Sequence, residues 1–232
     1  MKRGKRYRNA KEKVEKREYS VTEAIVFVKD NATAKFDETA ELSIRLGIDP
    51  RKSDQMVRGT VFLPHGTGKK IRILVFVTEE KEDEAKETGA DYVGGEELIE
   101  KIKNGWADFD LAISVPEMMS KVGKIGKILG PRGLMPNPKV GTVTKDIKKA
   151  VNDARKGRIE FKVDKTGNLH VPIGKVSFST EHMEENLLEV LREVVRLKPA
   201  STKGTYIKNL NLCSSMGPGI TINAQEIIRE LR

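Results

Sequence analysis

The chain has 232 residues, of which 43 are Lys or Arg and 34 are Asp or Glu, so its formal net charge is +9. With 38% hydrophobic and 33% charged residues it can build a core, and its length suits one large or two modest domains. A single cysteine excludes a disulfide framework and a cysteine-rich zinc module. An aromatic content of 5% argues against a protein that reads single strands by stacking alone.

No targeting or membrane segment is predicted. The first 18 residues are basic, but they include three glutamates and no apolar run, which is unlike a transit peptide. The longest apolar runs, 24–28 and 71–77, are far shorter than the ~20 residues that cross a membrane. We therefore expect a soluble, cytoplasmic protein, and the usual partner of such a basic chain is nucleic acid.

The positive charge is concentrated in two segments. Residues 1–19 carry a net +6 and residues 101–158 a net +8, whereas residues 79–100 carry −8. The remaining segments, 20–78 and 159–232, carry only +2 and +1. The N-terminal arm, residues 1–19, is therefore either a solvated tail or a segment that follows a phosphate backbone and orders on contact.

Helix caps and period-two alternation predict α+β elements at both ends of the chain. A capping box at 20–23 begins a helix that runs to about Asp30. The Asp-Lys-Thr-Gly turn at 164–167 joins two alternating strands into a hairpin, and Thr180 caps a long helix that ends before Pro199. The strands expected in these regions are 40–48, 55–63, 159–163, 169–173 and 205–212, and a last short helix begins near Asn223.

Between these ends, short apolar runs alternate with helices. The pattern predicts strands at 71–77, 91–93 and 110–115 and helices at 79–87, 96–103, 117–129 and 145–155. This alternation predicts a small parallel sheet with crossover helices, which is a Rossmann-like layer. The fold class is thus α/β and α+β. We expect a discontinuous α+β domain from residues 1–66 plus 159–232, with a Rossmann-like α/β domain inserted at 67–158 and joined by a hinge.

A Rossmann-like layer raises the alternative of a nucleotide-using enzyme, which the phosphate-binding motifs test. Residues 65–70, His-Gly-Thr-Gly-Lys-Lys, resemble half a P-loop, but Leu63 replaces the first glycine and Lys70 the Ser or Thr. Neither Gly-Thr-Gly nor Gly-Pro-Gly continues to the third glycine of a dinucleotide motif. The three histidines are isolated in sequence, and Cys213 has no basic neighbour. We therefore expect no enzyme, no cofactor and no metal.

A basic stretch without acidic residues runs from Lys121 to Lys139. Lysines recur every three residues in its first part, so on a helix they form one ridge, with Val122 and Leu129 turned elsewhere. Proline and glycine then restrict the following loop. We define the basic ridge as Lys121, Lys124, Lys127 and Arg132. Such a ridge is usually only a solvated face, but one that runs into a rigid basic loop suits phosphate contact.

Residues 126–139, Gly-Lys-Ile-Leu-Gly-Pro-Arg-Gly-Leu-Met-Pro-Asn-Pro-Lys, resemble the signature of the L-one family of large-subunit ribosomal proteins, in its bacterial form. The resemblance extends over nearly the whole chain, because other segments match in the family's order. These include Lys-Phe-Asp-Glu-Thr at 35–39, Leu-Gly-Ile-Asp-Pro-Arg at 46–51, Arg-Gly-Thr at 58–60, Leu-Pro-His-Gly at 63–66, Gly-Ala-Asp-Tyr-Val-Gly-Gly at 89–95, Asp-Lys-Thr-Gly at 164–167 and Met-Gly-Pro at 216–218.

The resemblance implies a non-enzymatic protein with the two-domain architecture given above. It implies that the terminal domain binds 23S ribosomal RNA at the mobile stalk, and that the protein assists release of deacylated tRNA from the exit site. It further implies repression of translation of its own mRNA. The implied partners are therefore large-subunit rRNA, exit-site tRNA and the protein's own mRNA, with a free protein that is monomeric. A non-specific basic architectural protein is a further alternative, and it predicts affinity that is almost entirely salt-dependent.

Carried over onto this chain, the resemblance implies a set of rRNA-binding residues that we define as the recognition strip. Its members are Lys35, Phe36, Thr39, Lys165, Thr166, His170, Lys175, Ser215, Met216 and Gly217. Phe36 and Met216 offer apolar contact to sugars and bases, and Gly217 allows close backbone approach. Packing in the core is the alternative for Phe36 and Met216. The basic ridge is expected to be a second contact with RNA or tRNA.

Overall fold

The computed structural model describes residues 4–230. The chain forms two compact units, which we call the terminal unit (Met1–Gly68 with Gly157–Arg232) and the inserted unit (Lys69–Lys156). Each unit has its own hydrophobic core. The mixed α/β class predicted from the sequence is confirmed.

The helices and strands have the following bounds. The helices are α1 (Lys5–Glu12), α2 (Val21–Asp30), α3 (Glu82–Glu87), α4 (Glu96–Lys103), α5 (Met119–Val122), α6 (Gly126–Leu129), α7 (Ile147–Arg155), α8 (Thr180–Arg196) and α9 (Ala224–Glu230). The strands are β1 (Thr39–Leu46), β2 (Arg58–Phe62), β3 (Ile73–Phe76), β4 (Tyr92–Gly94), β5 (Leu111–Ser114), β6 (Arg158–Lys162), β7 (Asn168–Lys175), β8 (Ile207–Ser214) and β9 (Ile220–Ile222).

The terminal unit is built on an antiparallel sheet with the strand order β7-β1-β8-β9. Leu42 in β1 lies opposite Val171 in β7 and Leu212 in β8, and all three side chains are buried. Helices α2 and α8 pack against this apolar face. Because side chains alternate along a strand, the opposite face carries polar residues such as Ser43 and Asn211 and remains open to solvent. Strands β2 and β6 form a separate antiparallel pair.

The N-terminal arm is partly helical and partly attached to the core. Helix α1 covers residues 5–12 and has no buried residue. Beyond it, Val14 packs partly against the core and Tyr19 is buried, with its backbone N–H donating to the Thr221 carbonyl at 2.9 Å. The end of the arm is therefore not a solvated tail, because the Tyr19 side chain is part of the hydrophobic core.

The N-terminal caps of α2 and α8 are both serines. Ser20 accepts from the backbone N–H of Glu23, whose carboxylate returns to Ser20, so the predicted capping box is present. The cap of α8 is Ser179 and not Thr180, since the Ser179 hydroxyl accepts from His182 N–H at 3.2 Å. Thr180 was the wrong choice because its backbone is already helical, and the capping residue must stand just outside the helix.

The inserted unit contains a parallel sheet with the strand order β4-β3-β5. Every residue of β3 is buried, as expected for a central strand that helices cover on both faces. Helix α4 covers the predicted residues 96–103 without change, and its three buried residues lie on one side. Val143 adds a further parallel bridge beside Ser114 at the end of β5.

The predicted continuous helix 117–129 is wrong. The segment consists of a 3₁₀ turn (Pro116–Met118), α5, a second 3₁₀ turn (Gly123–Ile125) and α6. Glycines inside this segment lower helix propensity by roughly 1 kcal/mol each, so no single regular helix is favoured. Val122, Ile125 and Leu129 are nevertheless buried, and their packing holds the irregular segment on the core. In the described part of the chain, no helix is long and apolar enough to cross a membrane.

The segment where the chain leaves the terminal unit is fixed by one buried amide. Asn186 of α8 is completely buried, and its Nδ2 donates to the carbonyls of Ile173 at 2.7 Å and Gly66 at 3.1 Å. Its Oδ1 accepts from the backbone N–H of His65 at 3.2 Å. Gly157 lies beside this segment, and a Cβ on it would stand 2.5 Å from the Gly66 Cα. Only glycine fits there.

We expect Asn186→Ala to lower the free energy of unfolding of the terminal unit by about 2–3 kcal/mol, because it removes the partner of one buried carbonyl and of a partly buried carbonyl and N–H. Urea unfolding followed by circular dichroism measures this loss. Trp106, the single tryptophan, lies in the inserted unit, so its fluorescence midpoint should not change. The exposed Arg192→Ala on the same helix is the control and should cost less than about 0.5 kcal/mol. An Asn186→Ala midpoint equal to that of the control would contradict this role.

Candidate nucleic-acid interface

Three residues of the recognition strip meet at one end of the terminal sheet. Thr39 begins β1 and pairs with Lys175 at the end of β7, while Ser215 directly follows β8. The Lys175 Nζ donates to the Thr39 Oγ1 at 2.9 Å and to the Asp37 carbonyl at 3.2 Å. The Thr39 N–H donates to the Ser215 Oγ at 3.1 Å. Hydroxyl and ammonium groups from three neighbouring strands are therefore held side by side.

Phe36 and Met216 are exposed and do not pack in the core. Their exposed fractions are 57% and 66%, so the core-packing alternative is wrong for both. Gly217 follows in a tight turn, where its N–H donates to the Ser214 carbonyl at 3.2 Å. A Cβ at Gly217 would stand 2.5 Å from the Ser214 Oγ, so a larger residue does not fit the turn. The two apolar side chains are thus presented to solvent by loops that have little freedom.

A buried carboxylate holds these loops together. Glu38 is only 2% exposed, and its Oε1 accepts from the Ala34 N–H at 3.1 Å while its Oε2 accepts from the Met216 N–H at 2.9 Å. Burial raises the pKa of Glu38, but hydrogen bonds from the Ser214 hydroxyl and from the Met216 and Ala34 amides outweigh it and lower the pKa overall. The group is therefore an anion at neutral pH that positions both loops.

Sequence reasoning missed Glu38, although the sequence contains a signal for it. Residues 40, 42, 44 and 46 of β1 form the buried face, and Glu38 precedes them in the same period-two phase. A carboxylate in the phase of a core face must be satisfied by hydrogen bonds or ion pairs. That phase marks Glu38 as a structural or functional residue.

His170 lies on the polar face of the sheet, in the middle of β7. Its Nδ1 is 3.0 Å from the Glu41 Oε1 and 3.1 Å from the Ser43 Oγ, and Ser43 is its partner in the strand register. Half of its side chain remains exposed. The histidine therefore extends the polar surface along the sheet from Thr39, Lys175 and Ser215, which we call the Thr39 cluster.

Lys165 and Thr166 lie at the opposite end of β7. Seven residue steps separate Asn168 from Lys175 in the strand, which is about 24 Å of extended chain. The Thr166 hydroxyl donates to Asp164 at 2.7 Å. The backbone N–H of Asn168, together with the Thr166 hydroxyl and amide, lowers the pKa of Asp164 to about 2. Thr166 thus shapes the turn, and these two residues are not part of the Thr39 cluster.

The basic ridge is exposed on the inserted unit. All four of its cationic side chains are exposed, whereas Val122, Ile125 and Leu129 between them are buried. Lys121 is paired with Glu96 at 2.5 Å, and this contact lowers the pKa of Glu96. Within residues 4–230, Lys124, Lys127 and Arg132 form no ion pair. Gly133 has a φ of +71°, which favours glycine, and it turns the chain directly after Arg132.

The geometry of the inserted unit does not support nucleotide binding at its parallel sheet. Ligands of such sheets bind beyond the carboxyl ends of the strands. A cavity of about 550 Å³ lies there, but it is lined by five glutamates and a single lysine: Glu80, Glu82, Glu96, Glu97, Glu117 and Lys121. Phosphate groups would be repelled by this lining. Among the described residues, no cluster of His, Cys, Asp or Glu could hold a metal ion.

The histidines are less isolated in space than in sequence. The rings of His65 and His182 stack with centroids 3.8 Å apart, and the His65 Nε2 lies 2.6 Å from Glu185. The sequence could not predict this pair because more than a hundred residues separate the partners. For Cys213, burial and the nearby Glu41 charge raise the pKa of the thiol, which favours its unreactive protonated form.

The site combines exposed apolar side chains on fixed loops with hydroxyls and lysines beside an open polar sheet face. Proteins recognise folded RNA with surfaces of this type. The comparisons with known proteins identify the family. The chain belongs to the family described as Ribosomal protein L1p/L10e, which matches residues 28–218. The resemblance seen in the sequence is therefore confirmed.

Several relatives match over nearly the full length. A protein of Persephonella marina named "Large ribosomal subunit protein uL1" is 56% identical over 99% of this chain and 97% of its own length. Proteins of the same name from Thermobifida fusca and Chlorobium chlorochromatii are 55% and 53% identical, over 96% and 97% of this chain and 95% and 99% of their own lengths. These names describe ribosomal components and not enzymes, as the sequence predicts.

The lowered pKa of Glu38 predicts a pH dependence of the loops. The pKa of Glu38 is lower in the folded than in the unfolded chain. The charged carboxylate therefore stabilises the fold fully above about pH 4.3, the ordinary glutamate pKa, and this stabilisation is lost as the pH falls through the lowered pKa. We expect the amide proton shifts of Ala34 and Met216 to stay constant down to that pH and to change below it. An NMR titration measures both. Glu38→Gln is the control and should abolish the titration; a midpoint at or above the ordinary glutamate value of about pH 4.3 would contradict the assignment.

Proposed function

We propose that this chain is a component of the large ribosomal subunit whose terminal unit binds a folded region of 23S rRNA at the mobile stalk. The observation that carries the proposal is the exposure of Phe36 and Met216 on loops fixed by the buried Glu38. Exposed apolar side chains on rigid loops gain free energy only when a partner covers them. The adjacent hydroxyls and the Lys175 ammonium suit the 2′-hydroxyls and phosphates of RNA.

The recognition strip binds by shape more than by charge. Lys175 already donates to Thr39 and to the Asp37 carbonyl, so part of its hydrogen-bonding capacity serves the protein itself. The strongly basic segments lie elsewhere, in the N-terminal arm and in residues 101–158. Charge in those segments attracts any nucleic acid, whereas the strip discriminates among folded RNAs.

Met216→Asp tests the strip directly. A carboxylate in place of the apolar contact should weaken binding to a stalk fragment of 23S rRNA at least about 30-fold, the loss of a contact worth about 2 kcal/mol. Met56→Asp is the matched control, because Met56 is 47% exposed in the same unit outside the strip and gives the same change in charge. Filter binding against excess competitor RNA measures specific affinity. Equal losses of affinity in both variants would show that the added negative charge, and not the loss of the Met216 contact, weakens binding.

The same strip supports repression of the protein's own mRNA. One surface that recognises RNA by shape binds any RNA of the same fold, so an mRNA leader that imitates the stalk would compete with rRNA for Thr39, Ser215 and Met216. Free protein would then occupy its mRNA only after the rRNA sites are filled. On this proposal, Met216→Asp loses both RNAs in parallel.

We further propose that the basic ridge contacts tRNA during its release from the exit site. Lys124, Lys127 and Arg132 are exposed without an ion pair in the described part of the chain, so their charges are available to phosphates. Lys121 contributes less because Glu96 compensates its charge.

Replacing Lys124, Lys127 and Arg132 with Ala should slow the release of deacylated tRNA from reconstituted ribosomes several-fold and leave affinity for the rRNA fragment unchanged. The control is the triple Ala replacement of Lys145, Lys148 and Lys149, which removes the same charge from the same unit near and on α7. Fluorescently labelled tRNA reports the release rate. Equal slowing in both triple variants would show that net charge and not the ridge is responsible.

A further inference from the structure

A cleft lies between helix α1 and the loop that precedes β1, within the terminal unit. Its volume is about 580 Å³. Tyr7 and Ala10 of α1 line one side, Phe36 lines another, and Met216 with Gly217 completes it. The cleft therefore joins the N-terminal arm to the apolar part of the recognition strip.

Two hydrogen bonds attach the arm at this position. The Arg6 guanidinium donates to the Thr33 carbonyl and the Lys13 ammonium donates to the Asn31 Oδ1, both at 3.4 Å. Asn31 is itself held by its Nδ2, which donates to the Phe27 carbonyl at 2.9 Å. Helix α1 is thus placed over the loop by contacts near both of its ends, and it leaves the space between them open.

The lining combines apolar walls with positive charge. Phe36, Met216 and Ala10 supply hydrocarbon surface, and Lys5, Arg6 and Lys35 supply the cations among the lining residues. The one carboxylate of the lining is Glu38, whose oxygens already accept from backbone amides. A ligand that fits is flat and apolar on its faces and carries a negative charge at its edge. A nucleotide has this chemistry.

Two other cavities in the described part of the chain lack this combination. The cavity beyond the parallel sheet is lined by five glutamates, which repel an anion. The cavity beside β8 and β9, of about 670 Å³, includes Lys208 and Arg229 but no aromatic ring on which a base could stack. The arm cleft is also the cavity that contains Phe36 and Met216, the exposed residues of the strip.

We propose that the arm cleft takes one unpaired base, turned out of the RNA that the recognition strip binds. The base stacks against Phe36 with Met216 beneath it, and its phosphate lies near Lys5, Arg6 and Lys35. A volume of about 580 Å³ falls within the range of about 300–1,000 Å³ for sites of small organic groups, and unpaired loop bases are the parts of folded RNA that proteins bind in this way. The proposal rests on the proposed binding of rRNA, and it gives the N-terminal arm a role in recognition.

A matched pair of substitutions on α1 tests the cleft in the full-length protein. Ala10→Trp fills it, whereas Asn9→Trp adds the same ring at the neighbouring exposed position, which does not line the cleft. Neither residue belongs to the hydrophobic core, so both variants should unfold like the wild type. The probe is the stalk fragment of 23S rRNA with a fluorescent base analogue at each unpaired position in turn, 2-aminopurine for purines and pyrrolocytosine for pyrimidines.

We expect one unpaired position to change its fluorescence when the wild-type protein binds. Ala10→Trp should abolish that change and weaken binding about tenfold, the value of one stacked base, while Asn9→Trp stays within about twofold of the wild type. Retention of the signal by Ala10→Trp, equal losses in both variants, or no responding position would overturn the cleft proposal. In those cases the proposed rRNA function would still hold if the wild type bound the fragment specifically and Met216→Asp did not. Failure of the wild type to bind the fragment would overturn both.

Discussion

The carboxylate of Glu38 connects the two loops that make up the apolar part of the candidate interface. A buried anion is tolerated only when hydrogen bonds replace the water it has lost, and here the amides of Ala34 and Met216 and the Ser214 hydroxyl supply them. The Met216 amide points inward to the carboxylate while its side chain is exposed, and Phe36 is exposed in the same loop as Ala34, whose amide also donates to Glu38. One buried acidic residue therefore joins the two loops that present these two large apolar residues to solvent.

The strongly basic segments and the hydrogen-bonded polar cluster lie in different parts of the chain. The arm and residues 101–158 carry +6 and +8, and such charges act over about 10 Å at moderate salt without distinguishing one RNA from another. The hydrogen-bonded cluster of Thr39, Lys175 and Ser215 acts only on contact. Helix α1 belongs to the basic arm, and it brings Lys5 and Arg6 to the cleft that Phe36 and Met216 line.

Much of the fold was predictable because its elements have strong local signals. The capping box at Ser20 and the apolar spacing of residues 96–103 led to helices with correct starts, and alternation in residues 40–48 indicated the half-buried strand β1. Prediction failed where local signals compete. In residues 117–129 the apolar spacing favours a helix while the glycines oppose it, and the result is a series of short turns. At 179–180 two hydroxyl residues could each cap the helix.

The sequence by itself determined the family, the mixed α/β class, the regions of positive charge and the identity of the residues proposed to contact RNA. The charge distribution comes from composition, the fold class from periodicity and the family from contiguous motifs, while the proposed contact residues are what the family resemblance implies. Tertiary structure alone decided which of those residues lie together: Thr39, Lys175 and Ser215 meet because β7, β1 and β8 are neighbours, whereas Lys165 and Thr166 lie at the far end of β7. It also decided the burial of Glu38 and the cleft under α1. Such features depend on contacts between residues that are up to about two hundred positions apart, and no local pattern records them.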